Sequence, residues 1–226
     1  MVKIFNNHKK VVIFDLDGTL LDSSEVYYVA TEQTFVNKDK EYGFVLGKAI
    51  ERYGAKKGAE IVGISQEDMF QWLNTWIEIQ EDYTRIFPST LTLLQNLSKE
   101  GFMCGINTNR PQSTEEVKLT LKRHVIDHLF PIIQTAKTTN VRKPDPKGIL
   151  DILSEFHISK DQSFFVGDSY VDVLAGINAG VTTIAVTTGV YSKQELEEYS
   201  PHYIIDDIAM VEKIVCNDQT SKNKNR

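Results

Sequence analysis

The stretch Val11-Val12-Ile13-Phe14-Asp15-Leu16-Asp17-Gly18-Thr19-Leu20 constrains this chain more than any other. Four apolar, mostly β-branched residues read as a buried strand, too short for a helix. The run stops abruptly at two aspartates one residue apart. In extended chain the side chains at i and i+2 share a face, so Asp15 and Asp17 start close together where the strand ends. Gly18 permits a tight turn, and Thr19 adds a hydroxyl. Two carboxylates placed like this repel unless a cation lies between them or one keeps a proton. On its own the pattern is also that of a strand running into an Asp/Gly turn and a helix cap. What separates the two readings is whether distant parts of the chain supply partners.

Asp22-Ser23-Ser24-Glu25 predicts a helix start. From there to about residue 85 the pattern is helical, with no strand. Three amphipathic segments, near 26–36, 44–53 and 69–79, are set apart by Gly43, Gly47, Gly54, Gly58 and Gly63. Beyond Phe87-Pro88 the character changes. Pro88 suits a first helical turn, Leu91, Leu94 and Leu97 form a buried stripe, and Gly101 ends the helix. Strands are then predicted at 102–107, 131–133, 163–166, 181–186 and 203–205. Between and after them come helices at 113–124, 145–156, 169–178, 194–199 and 208–215, with a polar, frayed tail from 219. Such alternation predicts an α/β fold: a Rossmann-like parallel sheet with helices on both faces. At 226 residues and 41% hydrophobic the chain is long enough for a core and an insert. The core takes residues 1–20 and 86–226, and residues 21–85 form a small α-helical domain. Ligands of such sheets sit beyond the carboxyl ends of the strands. Asp15, Thr108 and Asp168 each follow a predicted strand, so the fold would bring them to one rim.

That set suits phosphoryl transfer to water, which needs an in-line nucleophile, neutralised phosphoryl oxygens and a proton for the leaving group. An aspartate can be the nucleophile, and a second carboxyl group acts as acid and then as base. Mg2+ is the natural partner of hard oxygen ligands and phosphate. Ile106-Asn107-Thr108-Asn109 offers a hydroxyl and backbone N–H groups to a phosphoryl oxygen. In Arg142-Lys143-Pro144-Asp145-Pro146 the prolines hold Lys143 in an extended segment, where a fixed ammonium balances Asp15 and phosphate together. Asp168, in Gly167-Asp168-Ser169-Tyr170-Val171-Asp172, could bind the metal opposite Asp15. Asp172, four residues on, points back toward the same end and suits support of Lys143 or of a metal-bound water.

The net charge of -6 argues against a nucleic-acid or anionic-membrane partner. No stretch approaches the ~20 apolar residues of a membrane span, and the run at 11–14 is too short for a signal peptide. Cys104 and Cys216 are far apart and show no metal-ligand spacing. The expectation is a soluble cytoplasmic protein acting on a small phosphorylated metabolite, of either monomeric or dimeric state.

Asp-x-Asp-Gly-Thr after a strand, Thr-Asn after the next, Lys-Pro, then Gly-Asp-Ser-x-x-Asp resembles the haloacid dehalogenase superfamily in its phosphatase branch. The likeness covers roughly 10–20 and 87–210 and is greatest to phosphoglycolate phosphatase and pyrophosphatase relatives. It implies that Asp15 is nucleophile and Mg2+ ligand, and that Asp17 is the acid/base and lends the metal its backbone carbonyl. Thr108, Asn109 and Lys143 then hold the phosphoryl group, Asp168 binds Mg2+, and Thr19, Ser169 and Asp172 support the site. The helical insert matches the family's cap. True haloacid dehalogenases and the phosphonate-cleaving relatives lack an acid where Asp17 stands. Sugar-phosphate mutases of this type usually carry a histidine soon after the first motif, where Ser24, Glu25, Val26, Tyr27 and Tyr28 offer none. These departures favour hydrolysis over dehalogenation, phosphonate cleavage or mutase chemistry; the alternative is a phosphotransferase that passes the group to a second metabolite, told apart by free phosphate against phosphorylated acceptor. The intact set of acids, threonine and lysine counts against a non-catalytic binding protein. In the cap, Lys48 and Arg52 are candidate anion contacts, though solvated helix charge is the simpler account of both.

Overall fold

The computed structural model describes residues 10–223, with side chains to residue 217. The chain divides into two compact units, one of residues up to Leu20 and from Ile86 onward, the other Leu21–Arg85.

The larger unit is built on a six-stranded sheet in which every neighbouring pair is parallel, in the order β5-β4-β1-β6-β7-β8. The strands are β1 (Val11–Phe14), β4 (Met103–Thr108), β5 (Ile132–Thr135), β6 (Ser163–Gly167), β7 (Thr182–Val186) and β8 (Tyr203–Ile205). β1 lies at the centre, and all four of its side chains are fully buried. That explains a continuous apolar run rather than an alternating one, and each such side chain contributes about 1.5–3 kcal/mol through burial. Val11 and Ile13 point to one face, where Ile149, Ile152, Phe165, Ala175 and Ala179 pack on them. These come from α7 (Lys147–Phe156), α8 (Tyr170–Ala179) and β6. α4 (Thr90–Lys99) packs on β4 and on α10 (Met210–Asn223), and α5 (Thr114–Arg123) packs beside β5. The short helices α6 (Ala136–Thr139) and α9 (Lys193–Glu197) complete this unit.

Register places the site. Phe14 is level with Ile106 of β4 and Val166 of β6. Asp15 therefore lies one residue beyond that level, and Asp168 and Thr108, the last residue of β4, two residues beyond it, at the same end. The Asp15 N–H still donates to the Val166 carbonyl at 2.8 Å. From β1 the chain continues on one side through β4 and β5, then crosses to β6 on the other side. The rim between them is the switch point where open α/β sheets bind ligands.

The smaller unit contains α1 (Ser24–Thr34), α2 (Lys40–Val62) and α3 (Gln66–Tyr83). Two-residue strands, β2 (Leu21–Asp22) and β3 (Arg85–Ile86), pair where the chain leaves and re-enters the larger unit. The sequence pattern carries no signal for so short a ribbon. Tyr27, Trp72 and Trp76 cluster with Leu46 and Met69 to form this unit's own apolar core.

Several local expectations are corrected. Gly43, Gly47 and Gly58 do not separate helices but lie inside α2. A Cβ at Gly43 or Gly47 would come within 2.7 Å of Tyr27, so these glycines let two helices approach closely. Gly54 alone interrupts the helix, with φ +75 and ψ 161, a conformation that glycine adopts without penalty. Leu91 is exposed, and the buried stripe of α4 is Leu93, Leu94 and Leu97. Pro88 precedes that helix rather than entering its first turn. α10 extends to Asn223 instead of stopping near 215, and the last three residues of the expected tail lie outside the described residues.

Candidate active site

At the rim, the Lys143 ammonium donates to Asp15 Oδ1 and, at 2.5 Å, to Asp172 Oδ1. It is buried, with 4% of its side chain exposed. Asp15, Asp168 and Asp172 each offer a carboxylate oxygen within 4.8 Å of the others. The four distant pieces of chain singled out in the sequence thus meet at one place.

Each piece is held by its own local chemistry. Lys143 sits in a turn, not in extended chain, because the Asp145 N–H closes back on the Arg142 carbonyl at 3.0 Å. Asn109 clamps it. The Asn109 Oδ1 accepts from the Lys143 N–H at 2.8 Å, and its amide donates to the Lys143 carbonyl at 3.4 Å. The Asn109 side chain thus holds the lysine loop against the end of β4. Thr108 is buried at the end of β4, and its hydroxyl accepts from the Arg110 N–H at 3.2 Å. Ser169 caps α8, and its hydroxyl and N–H both donate to Asp172 Oδ2 at 2.6 and 3.1 Å. Asp172 therefore has one oxygen on Ser169 and the other on Lys143, which makes it a brace. Thr19 donates to Asp168 Oδ1 at 3.1 Å.

Two parts of the site are absent from the sequence reading. Arg110, 3% exposed, grips both oxygens of Asp17 at 2.7 Å. The crowding of Asp15 and Asp17 is thus relieved by two protein cations, Lys143 on the first and Arg110 on the second. The loop after β7 also reaches the rim. Thr188 donates to the Gly18 carbonyl at 2.6 Å, and a Cβ at Gly189 would stand 1.7 Å from Asp168 Oδ2. Gly18, at φ +78, approaches the same carboxylate, where a Cβ would lie 2.4 Å from Oδ2. The Asp168 carboxylate thus has the backbone of two glycines packed close against it.

Electrostatics follow from burial. Desolvation pushes the Asp15 carboxyl up to about 7; Lys143 pulls it down, while Asp172 and Asp17 add to the rise. Burial opposes the charge on Lys143, but Asp15 and Asp172 outweigh it and hold the ammonium protonated. Four carboxylates face two protein cations here, and the acids include a cluster of hard oxygen donors. That donor set fits a divalent cation of the Mg2+ type.

The fold is a parallel α/β sheet with an acidic, lysine-braced site at its strand ends, and the haloacid dehalogenase-like hydrolase family model matches residues 12–186. The chain belongs to that family. Within it, this chain is 29% identical over 224 residues to a phosphoglycolate phosphatase of Vibrio cholerae, covering 91% of this chain and 96% of that one. It is 26% identical over 208 residues to the pyrophosphatase PpaX of Bacillus mycoides, covering 88% and 93%. Among solved structures, a HAD-superfamily hydrolase of subfamily IA from Geobacter sulfurreducens has the same fold. The TM-score is 0.67 at 22% identity, over 95% of this chain and 100% of that one. Among the described residues, no helix is long and apolar enough to cross a membrane.

Proposed function

We propose that the protein is a Mg2+-dependent phosphatase that hydrolyses a small phosphorylated metabolite, a phosphoglycolate-like monoester or pyrophosphate, through an aspartyl-phosphate on Asp15. The observation that carries this reading is the buried Lys143 ammonium bridging Asp15 and Asp172, with Asp168 within the same acidic cluster. The names of the relatives support the two substrate classes.

Asp15 attacks phosphorus while Asp17 gives its proton to the departing oxygen. Asp17 then takes a proton from the water that cleaves the acyl phosphate. Lys143 and the Thr108 hydroxyl balance the phosphoryl oxygens, and Asp172 with Ser169 keeps the ammonium in place. Asp15, Asp168 and the Asp17 main-chain carbonyl are the groups to hold Mg2+, which supplies charge neutralisation to an anionic substrate at an acidic site. The helical unit Leu21–Arg85 is assigned as the cap, which chooses the leaving group; Lys48 and Arg52 lie on its helix α2.

The direct test is phosphate release from phosphoglycolate, pyrophosphate, nucleotides and sugar phosphates, with and without Mg2+. No release from any of them by folded, metal-loaded protein overturns the reading. For Lys143→Ala the expected loss is about 10²–10³ in kcat, the scale of a missing transition-state donor. An unchanged turnover number would return Lys143 to a structural role.

Metal binding has its own signature. Because the folded-state pKa of Asp15 is raised, the metal-free native state keeps a proton that the unfolded chain has released between about pH 4 and 7. Its stability therefore falls as pH rises through that window. Lys143, raised as well, adds a contribution that is constant there and lost only at alkaline pH. A divalent cation offsets the ionised carboxylate, so Mg2+ should raise the thermal midpoint more at pH 8 than at pH 5. Equal shifts at both pH values would separate Asp15 from metal binding.

A further inference from the structure

Arg110 directly follows the Thr108-Asn109 pair, yet no role in the reaction described above falls to it. Its main chain is fixed at both ends: its N–H donates to Thr108 Oγ1 at 3.2 Å, and its carbonyl accepts from the Ala136 N–H at 3.2 Å. Its guanidinium is fixed too. Nε and one terminal nitrogen each donate to a separate Asp17 oxygen at 2.7 Å, and the other terminal nitrogen lies 3.4 Å from Thr120 Oγ1 on α5. Asp17 is the more exposed partner, at 21% against 3% for Arg110. A buried, anchored fork therefore holds a carboxylate that extends toward solvent.

A planar guanidinium matched to a planar carboxylate fixes the plane of that group as well as its distance. Among the described residues the Asp17 carboxylate is held by Arg110, and without that grip its side chain has two free torsions. Proton transfer in phosphoryl hydrolysis depends on where those oxygens point, and misplacement by about 1 Å costs on the order of 10² in rate.

Resting on the phosphatase reading, we propose that Arg110 is the positioning residue for Asp17, aiming it at the leaving-group oxygen. In the first half-reaction the bond from Asp15 to phosphorus forms, the bond from phosphorus to the leaving oxygen breaks, and the Asp17 proton goes to that oxygen. In the second half-reaction a water oxygen bonds to phosphorus as its proton passes to Asp17, and the Asp15–phosphorus bond breaks. Arg110 is bonded to Asp17 and is assigned no contact with phosphorus or the leaving oxygen, so it acts through Asp17 alone.

The consequence is a dependence on leaving group. An alkyl phosphate needs a proton delivered to its departing oxygen, whereas p-nitrophenyl phosphate leaves without one. Arg110→Ala should therefore lower kcat/KM about 10²-fold for an alkyl phosphate and no more than about tenfold for the aryl ester. Arg110→Lys, which keeps the charge but holds only one oxygen, should fall between Ala and wild type, and it serves as the test should the alanine variant not fold. In an Asp17→Asn background, Arg110→Ala should add no further loss for the alkyl ester, because coupled residues do not act independently. Equal losses on both esters, no loss on either, or losses that multiply in the double variant overturn the positioning role. Wild-type protein inactive on both esters would instead overturn the phosphatase reading beneath it.

Discussion

Asp15→Asn is expected to lower phosphate release by about 10⁵–10⁶ in kcat, the scale seen when a covalent nucleophile is removed, while leaving the protein folded. Asparagine keeps the shape of the side chain, but its amide does not attack phosphorus. The loss should appear with every substrate and leaving group, because no step precedes attack by this residue. Stability should not follow activity. The site already disfavours the ionised carboxylate, as its rise to about 7 shows. Lys143 also retains Asp172 as a partner when Asp15 becomes neutral. In metal-free buffer at pH 8 the thermal midpoint of the variant should equal or exceed that of wild type. Steady Mg2+-dependent phosphate release from a folded Asp15→Asn sample would sink the nucleophile assignment.

The rim was legible in the sequence because period and punctuation carry it. β1 reads as buried from four consecutive apolar residues. Strands β4 and β6 each end at the residue types that chemistry needs, so parallel register alone brings Asp15, Thr108 and Asp168 together. Local sequence does not carry pairings made across the fold. The bond between Arg110 and Asp17 spans 93 positions, and Arg110 looks like any charged residue in a turn before Pro111. A usable signal did exist: a cluster of four acids needs cations, and Arg110 stands next to a strand-end motif. Gly189 was equally hidden, since a glycine three residues past a strand reads as an ordinary turn until Asp168 is seen against it. The glycines of α2 were misread for a related reason. Glycine marks breaks and close approaches alike, and only the packed position of Tyr27 tells them apart. The Asn109 side-chain bond to the Lys143 main chain, 34 positions away, lies outside the reach of local sequence in the same way.

Asp17→Asn should cost about 10²–10⁴ in steady-state turnover, the range for a lost general acid or base. Its character should differ from that of Asp15→Asn. The nucleophile remains, so p-nitrophenyl phosphate, whose leaving group needs no proton, should still phosphorylate Asp15. The acyl phosphate then waits for a water with no base to take its proton. Rapid mixing should therefore show a burst of p-nitrophenol near one equivalent per enzyme, followed by slow turnover. Stability should also change in the opposite sense. Arg110 is 3% exposed, and an asparagine opposite it accepts one hydrogen bond without returning a charge. Leaving part of a buried cation unsatisfied costs about 1–3 kcal/mol, so the thermal midpoint should fall, and the kinetics belong well below it. A folded Asp17→Asn variant with full turnover on an alkyl phosphate would remove Asp17 from the proton path. A slow steady state without a burst would place its effect on the first half-reaction instead, since an intermediate that forms slowly cannot accumulate.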